Sequence, residues 1–222
     1  VANPRAAMIL MPSALTIPND WTFPAASGKR RQILDGAAGV FLASGFDGAS
    51  MGEIARAAGV SKGTLYTYFV SKEELFRALL REKCSDIAER CFQLDPQGEV
   101  DAELTAVARR YIAAMAEPDY IATLRVVISA AEKFPAVGAA YHEAGIETTV
   151  ALLSRWLAGK SADGELAIEE PELAARQFIC SCYAQTVTPV LFGDLRRPAP
   201  EAVARAIRFT VDAFLRAFAP RP

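Results

Sequence analysis

Residues 50–75 read SMGEIARAAGVSKGTLYTYFVSKEEL, and three helix starts fall within them. Ser50 and Glu53 have the spacing of a capping box: the serine hydroxyl accepts from the glutamate amide, and the carboxylate takes the serine's own amide. The helix this opens runs through Ile54 to Ala58, where Gly59 offers the left-handed conformation that ends a helix. Val60 turns toward a core, and Ser61 caps the next helix at once. Ser71 and Glu74 repeat the capping-box spacing and open a third helix. Two short helices joined by a glycine-containing turn form a helix-turn-helix, placed here at about residues 50–69.

The middle helix, from Lys62 to Phe69, is only about 12 Å long at 1.5 Å rise per residue. Leu65 and Phe69 share its inner face with Ile54 and Val60. Lys62, Gly63, Thr64, Tyr66, Thr67 and Tyr68 are left outward. For a face meant only for water, Glu, Lys and Gln would be better helix formers. Against DNA the composition makes sense. Gly63 allows close approach, Thr methyls and Tyr rings suit thymine methyls, and the hydroxyls suit phosphates. Lys62 and Lys72 stand at helix N-termini, where free amides and the helix dipole also favour a phosphate. Lys29, Arg30 and Arg31 add a candidate flanking clamp, and Arg56 a further contact.

The run IARAAGVSKGTLYTYFVSKEEL resembles the signature of the TetR family of transcriptional regulators, over about residues 28–88. Ala-Gly-Val-Ser, Leu-Tyr-x-Tyr-Phe and Ser-Lys-Glu-Glu-Leu stand in unbroken register, with Phe41, Gly45 and Phe46 upstream. The resemblance implies a homodimer whose recognition helices enter successive major grooves of a palindromic operator. It puts Ser50 and Met51 on backbone phosphates and Lys62 to Thr67 in the groove. It makes Tyr66, Thr67, Tyr68 and Lys72 further anchors. Thr67 departs from the Tyr, His or Arg common in the family and reaches less far.

Outward from this segment, the chain reads as all-α. Ile33, Ala37, Val40 and Phe41 make an amphipathic stripe that Gly45 closes, and Asp47-Gly48 turns the chain. Further helices are expected at about 72–92, 99–116, 119–133, 136–158, 171–192 and 200–218. The breaks between them are marked by Asp95-Pro96, Pro118, Pro135, Gly159 through Pro171, and Gly193 through Pro198. This makes about nine helices in three parts: a flexible leader (1–27), a helix-turn-helix DNA-binding domain (28–88), and an effector-binding and dimerisation domain (89–222). The leader carries four prolines and no sustained period. Whether residues 1–10 belong to the natural protein is open, since the chain begins with Val1 and Met8 or Met11 could be its start.

Bulk properties narrow the function classes. At 52% hydrophobic and 23% charged, the composition suits a packed domain. No apolar run nears the roughly 20 residues that span a bilayer, so a cytoplasmic protein with no membrane partner is expected. Net charge is −2 overall, yet residues 28–75 carry +1 and residues 76–222 carry −3. That asymmetry is weak, so the case for DNA rests on where charges sit. Cys84 and Cys91 lie about 10 Å apart along a helix, and Cys180 and Cys182 point to opposite faces. Neither pair reads as a metal site or a disulfide framework, and neither a metal nor a cofactor is expected. A single histidine, no Gly-x-Ser-x-Gly and no phosphate-cradling loop leave an enzyme without support.

The C-terminal half is expected to sense a small molecule. Its run VVISAAEKFPAVGAAYHEAG (126–145) resembles one C-terminal subtype of TetR-like regulators. Tyr111, Met115, Leu124, Ile128, Trp156 and Tyr183 are the candidate pocket lining, suited to a hydrophobic or aromatic effector. His142, beside Glu143, is read as a surface residue. The family architecture implies a four-helix dimer interface from the last two helices. The expected contacts are Phe178 and Cys182 on one, with Val203, Ile207, Val211 and Phe214 as an apolar stripe on the other. Pro189 should kink or shorten the first of these.

Overall fold

The computed structural model describes residues 28–193 and 199–220. The expected leader and the stretch from 194 to Pro198 lie outside them. All regular elements among the described residues are helical, in nine rods. These are α1 (Gly28–Gly48), α2 (Met51–Ala57), α3 (Lys62–Tyr68), α4 (Lys72–Cys91), α5 (Val100–Met115) and α6 (Pro118–Ala131). Next comes α7, which begins as Pro135–Tyr141, widens into a π turn over His142–Glu147 and continues as Thr148–Ala162. The last two are α8 (Pro171–Leu191) and α9 (Pro200–Phe218).

Local chemistry accounts for most of these boundaries. Gly45 interrupts α1 with φ 69° and ψ 176°, as its position after the apolar stripe predicts, and Phe46 is thereby turned inward. Pro118, Pro135, Pro171 and Pro200 each begin a helix, where a missing amide costs nothing and φ is already set. Ser50 and Glu53 make both bonds of their capping box. Ser71 makes only half of its own: its hydroxyl takes the Glu74 amide, but the Glu74 carboxylate takes the amide of Val70 (2.8 Å) rather than of Ser71. Pro189 lies in the last turn of α8, which ends two residues later.

Two apolar cores form. The first holds Ile33, Leu34, Ala37, Phe41 and Phe46 of α1, Ile54 and Ala55 of α2, Leu65 of α3 and Leu75, Phe76, Leu79 and Leu80 of α4. It also takes in Val127 and Ala130 of α6 and Val137 of α7, all far beyond residue 88. The second runs from Ile87 through α5, the later part of α7, α8 and α9. Helix α4 therefore enters both, and α6 splits likewise, with Ile121 in the second core and Val127 in the first. Each large side chain so buried contributes roughly 1.5–3 kcal/mol.

The contact between α1 and α2 is unusually close. A Cβ on Gly36 would stand 2.6–2.8 Å from the backbone N, Cα and Cβ of Ala58. Beside it Gln32 Nε2 donates to the Ala58 carbonyl at 2.6 Å. Gly36→Ala should therefore destabilise the fold by about 1–3 kcal/mol through overpacking against backbone. Gly39→Ala is the control, since a Cβ there meets nothing within 4 Å and alanine is the better helix former. Denaturant midpoints should separate the two variants clearly; equal midpoints would mean that α1 and α2 part easily.

Candidate nucleic-acid interface

The two short helices are set by their caps. At the start of α2 the Ser50 hydroxyl receives the Glu53 amide (3.2 Å), and Glu53 Oε2 receives the Ser50 amide (3.1 Å) and hydroxyl (2.7 Å). The Ser50 hydroxyl, and then its amide, hold the Glu53 carboxyl below the usual carboxylate range. Gly59, with φ 62°, ends the turn that follows α2, and Ser61 caps α3 by accepting from the Thr64 amide at 3.0 Å. Leu65 (fully buried) and Phe69 (2% exposed) anchor α3 to the first core.

That anchoring leaves the predicted face outward. Tyr66 is 50% exposed and Tyr68 37%, with Lys62, Gly63 and Thr67 also exposed and Thr64 half-buried. A Cβ on Gly63 would meet only Ser61 Oγ, at 3.7 Å, so nothing stands over that turn. The Thr67 hydroxyl donates back to the Gly63 carbonyl (3.0 Å), and Thr64 shares a hydrogen bond with Ser61 (2.9 Å). Lys62 folds back across α2: its Cε and Nζ lie 3.0 and 3.3 Å from where a Gly52 Cβ would stand. Its ammonium is thus brought over the first turn of α2, beside Ser50. Met51 is half-buried against the first core. The sequence reading did not single out Gly52, whose missing side chain makes room for this lysine.

Other expected cations are already engaged. Lys72 donates to the carbonyls of Phe46 (2.6 Å), Ala49 (3.0 Å) and Asp47 (3.2 Å), and lies 4.7 Å from the Phe46 ring centroid. Its three protons are used, so it ties the end of α1 to the start of α4 rather than standing ready for a phosphate. Arg30 and Arg31 both approach Glu82 of α4, at 3.7 and 3.3 Å, and Lys29 donates to Gln32. Arg56 is exposed.

The predicted effector lining is only partly gathered. Tyr111, Met115, Trp156 and Tyr183 join the second core. Leu124 is buried, but Ile128 is 56% exposed and faces outward, away from the second core. Trp156 donates its indole N–H to the Asp95 carbonyl (2.8 Å) under the Lys160 ammonium, which fixes it to the 92–99 loop. His142 is exposed, 3.3 Å from Glu147. Burial pushes the Cys84 and Cys182 thiols up to about 12, so both are protonated at neutral pH.

The predicted interface stripe is corrected more strongly. Phe178, Cys182, Ile207, Val211 and Phe214 are all 5% exposed or less within the single chain, and Val203 packs against the same core. They face inward because α9 lies on α8 and α5 with this stripe, and of the five buried side chains only Phe178 and Phe214 reach the outward face of the pair. The outward face of the pair instead carries Phe209 (67% exposed), Leu173 (56%), Gln177, Ser181, Gln185 and Ala213. A shallow depression of about 70 Å³ opens on it, floored by Phe178 and Phe214. Phe209 lies off the α9 stripe, so periodicity alone did not mark it.

Comparison with known proteins follows the same division. Residues 33–79 match the family described as bacterial regulatory proteins, tetR family, and residues 102–220 the AefR-like transcriptional repressor, C-terminal domain. An HTH-type transcriptional repressor of Mycobacterium tuberculosis is 30% identical over 137 residues, 62% of this chain and 69% of the relative. Seven further curated proteins match over 57 to 83 residues, 21 to 38% of their own length. Among solved structures, a TetR-family regulator from Mesorhizobium loti superimposes with a TM-score of 0.81 at 26% identity, covering 89% of this chain and all of that one. The flavonoid-responsive regulator FrrA gives 0.78 at 30% identity, covering 87% and 98%.

The three carbonyls held by Lys72 make a prediction. Lys72→Met should lower thermal stability by about 1–3 kcal/mol, the cost of leaving acceptors of a charged donor unpaired. A phosphate anchor would behave otherwise, losing DNA affinity at unchanged melting temperature.

Proposed function

The chain belongs to the TetR family of bacterial transcriptional regulators, a non-enzymatic family that binds DNA through its helix-turn-helix, and on that premise we propose a homodimeric repressor released by a small apolar effector. The outward face of α3 carries the reading. It presents two tyrosines and an uncovered glycine on a helix whose position is fixed from behind by Leu65 and Phe69. Tyr66 and Thr67 meet base edges or phosphates of the major groove, and Gly63 lets the backbone come close. Ser50, Met51 and the folded-back Lys62 receive a phosphate at the start of α2. Such a protein acts in the cytoplasm, with the chromosome.

Dimerisation uses the outward faces of α8 and α9, with Phe209 entering the depression beside Phe214 of a second copy. That places recognition helices about 34–36 Å apart, one turn of DNA, over the two halves of a palindrome. The effector sits in the second core, and an aromatic effector is supported by the description of FrrA, 30% identical, as flavonoid-responsive. Its binding favours a dimer with another spacing. A coupling of about 1–3 kcal/mol would change operator affinity roughly 5- to 150-fold.

Selection from random duplex DNA should recover a palindrome, and gel shifts on it give the readout. Tyr66→Ala should weaken binding by about 1–3 kcal/mol with the melting temperature unchanged. A folded Tyr66→Ala protein with full affinity would exclude this face. Phe209→Arg should yield monomers by sedimentation and lower operator affinity at least tenfold; a dimer surviving it would place the interface elsewhere.

A further inference from the structure

Gly52 stands in the first turn of α2, and the backbone there does not require a glycine. The positive φ angles among the described residues belong to Gly45, Gly59, Gly164 and Gly193. Glycine is also a poorer helix former than every residue but proline. What the missing side chain provides is room, and the room is taken. Cε and Nζ of Lys62, at the start of α3, lie 3.0 and 3.3 Å from where a Gly52 Cβ would stand, with Ser50 Oγ at 3.9 Å. Gly36, by contrast, is closed off by the backbone of Ala58, so its part is in packing. At Gly52 the neighbour is the end of a long, charged side chain.

That lysine has no partner within the protein. Among the described residues Lys62 makes no hydrogen bond or ion pair. Glu53, the one carboxylate on α2 or α3, is taken by the Ser50 amide and hydroxyl (3.1 and 2.7 Å). Lys72 is the opposite case, with three carbonyls around its ammonium. Lys62 therefore keeps its charge and its three donors for something outside the chain. A lysine ammonium is a compact point charge, and it meets a phosphate without needing one particular plane.

Direction decides which part of DNA it reaches. Lys62 and Tyr66 are four residues apart and share a face of α3. A lysine extended along that face would stand beside Tyr66, toward the bases. Folded across Gly52, it stands instead between α2 and α3, on the side of Ser50. Phosphate contacts fix the register of a protein on DNA, whereas base-edge contacts carry sequence.

We propose that Gly52 is a positioning residue: the space it leaves directs the Lys62 ammonium to a backbone phosphate on the α2 side of the recognition helix. This rests on the DNA-binding face proposed above, and it assigns a part to a residue that touches no DNA itself. Operator affinity of the full-length protein, measured by fluorescence anisotropy over a range of salt concentrations, tests it. Lys62→Met should weaken binding about three- to tenfold and flatten the slope of log affinity against log salt by about 1.8, for one phosphate lost from each half-site. Gly52→Val should do the same with a melting temperature no lower, since valine is the better helix former. The double variant should lose nothing beyond Lys62→Met alone. Gly52→Ala, whose Cβ moves the lysine by a few tenths of an ångström, should fall between the unmodified protein and Gly52→Val. It carries the test without a branched side chain in α2. An unchanged slope in Gly52→Val or in Lys62→Met would overturn the assignment. So would a double variant weaker than Lys62→Met, because the valine would then be meeting DNA directly. A flat salt dependence of the unmodified protein would instead refute the DNA-binding face, and this assignment with it.

Discussion

Leu75, Phe76, Leu79 and Leu80 lie in one hydrophobic core, Ile87 and Cys91 in another, and all six are on the single helix α4. A helix cannot shear internally without breaking its hydrogen bonds, so a displacement felt at one end is delivered to the other. The short helices α2 and α3 depend on this, because Leu65 and Phe69 seat them on the core that α4 completes. Interiors packed like organic crystals respond to a shift by repacking rather than by gradual deformation. An event in the second core thus has a physical route to the orientation of Tyr66 and Tyr68.

The two cores are joined a second time by α6 and the start of α7. Val127, Ala130 and Val137 pack into the first core, Phe134 meets Phe46 edge to face at 4.7 Å, and Lys133 pairs with Asp47 at 3.0 Å. The other end of α6 is tied to α8, where Arg125 donates to the carbonyls of Val190 and Leu191 (2.8 and 3.2 Å). With Tyr120 and Tyr141 bridging α6 to α7, a small rearrangement there bears on both routes at once. This is why the wide turn at His142–Glu147 matters more than its length suggests.

Much of the molecule was legible in the linear order of residues. Caps at Ser50, Ser61 and Ser71, the break at Gly45 and the prolines that open helices are local devices, and local devices survive being read one segment at a time. The outward face of α3 was legible too, because two inward positions, Leu65 and Phe69, leave no freedom for the rest of a seven-residue helix. The stripe on α9 misled for an instructive reason. Periodicity shows that one face of a helix is apolar, but not whether that face meets its own chain or another.

What the sequence by itself determined is therefore the all-helical class, the helix-turn-helix and the chemistry of its exposed face, since caps, turns and 3.6-residue periods act over a few residues. Tertiary structure alone decided the employment of individual side chains. Lys72 could have met a phosphate, but α1 brings three carbonyls to it. Gly36 lacks room for a side chain only because Ala58 lies against it, and Ile128 faces outward only because α6 turns Val127 and Leu124 in. Tyr120 and Tyr141 meet because α6 packs on α7, and no spacing along the chain encodes that hydrogen bond.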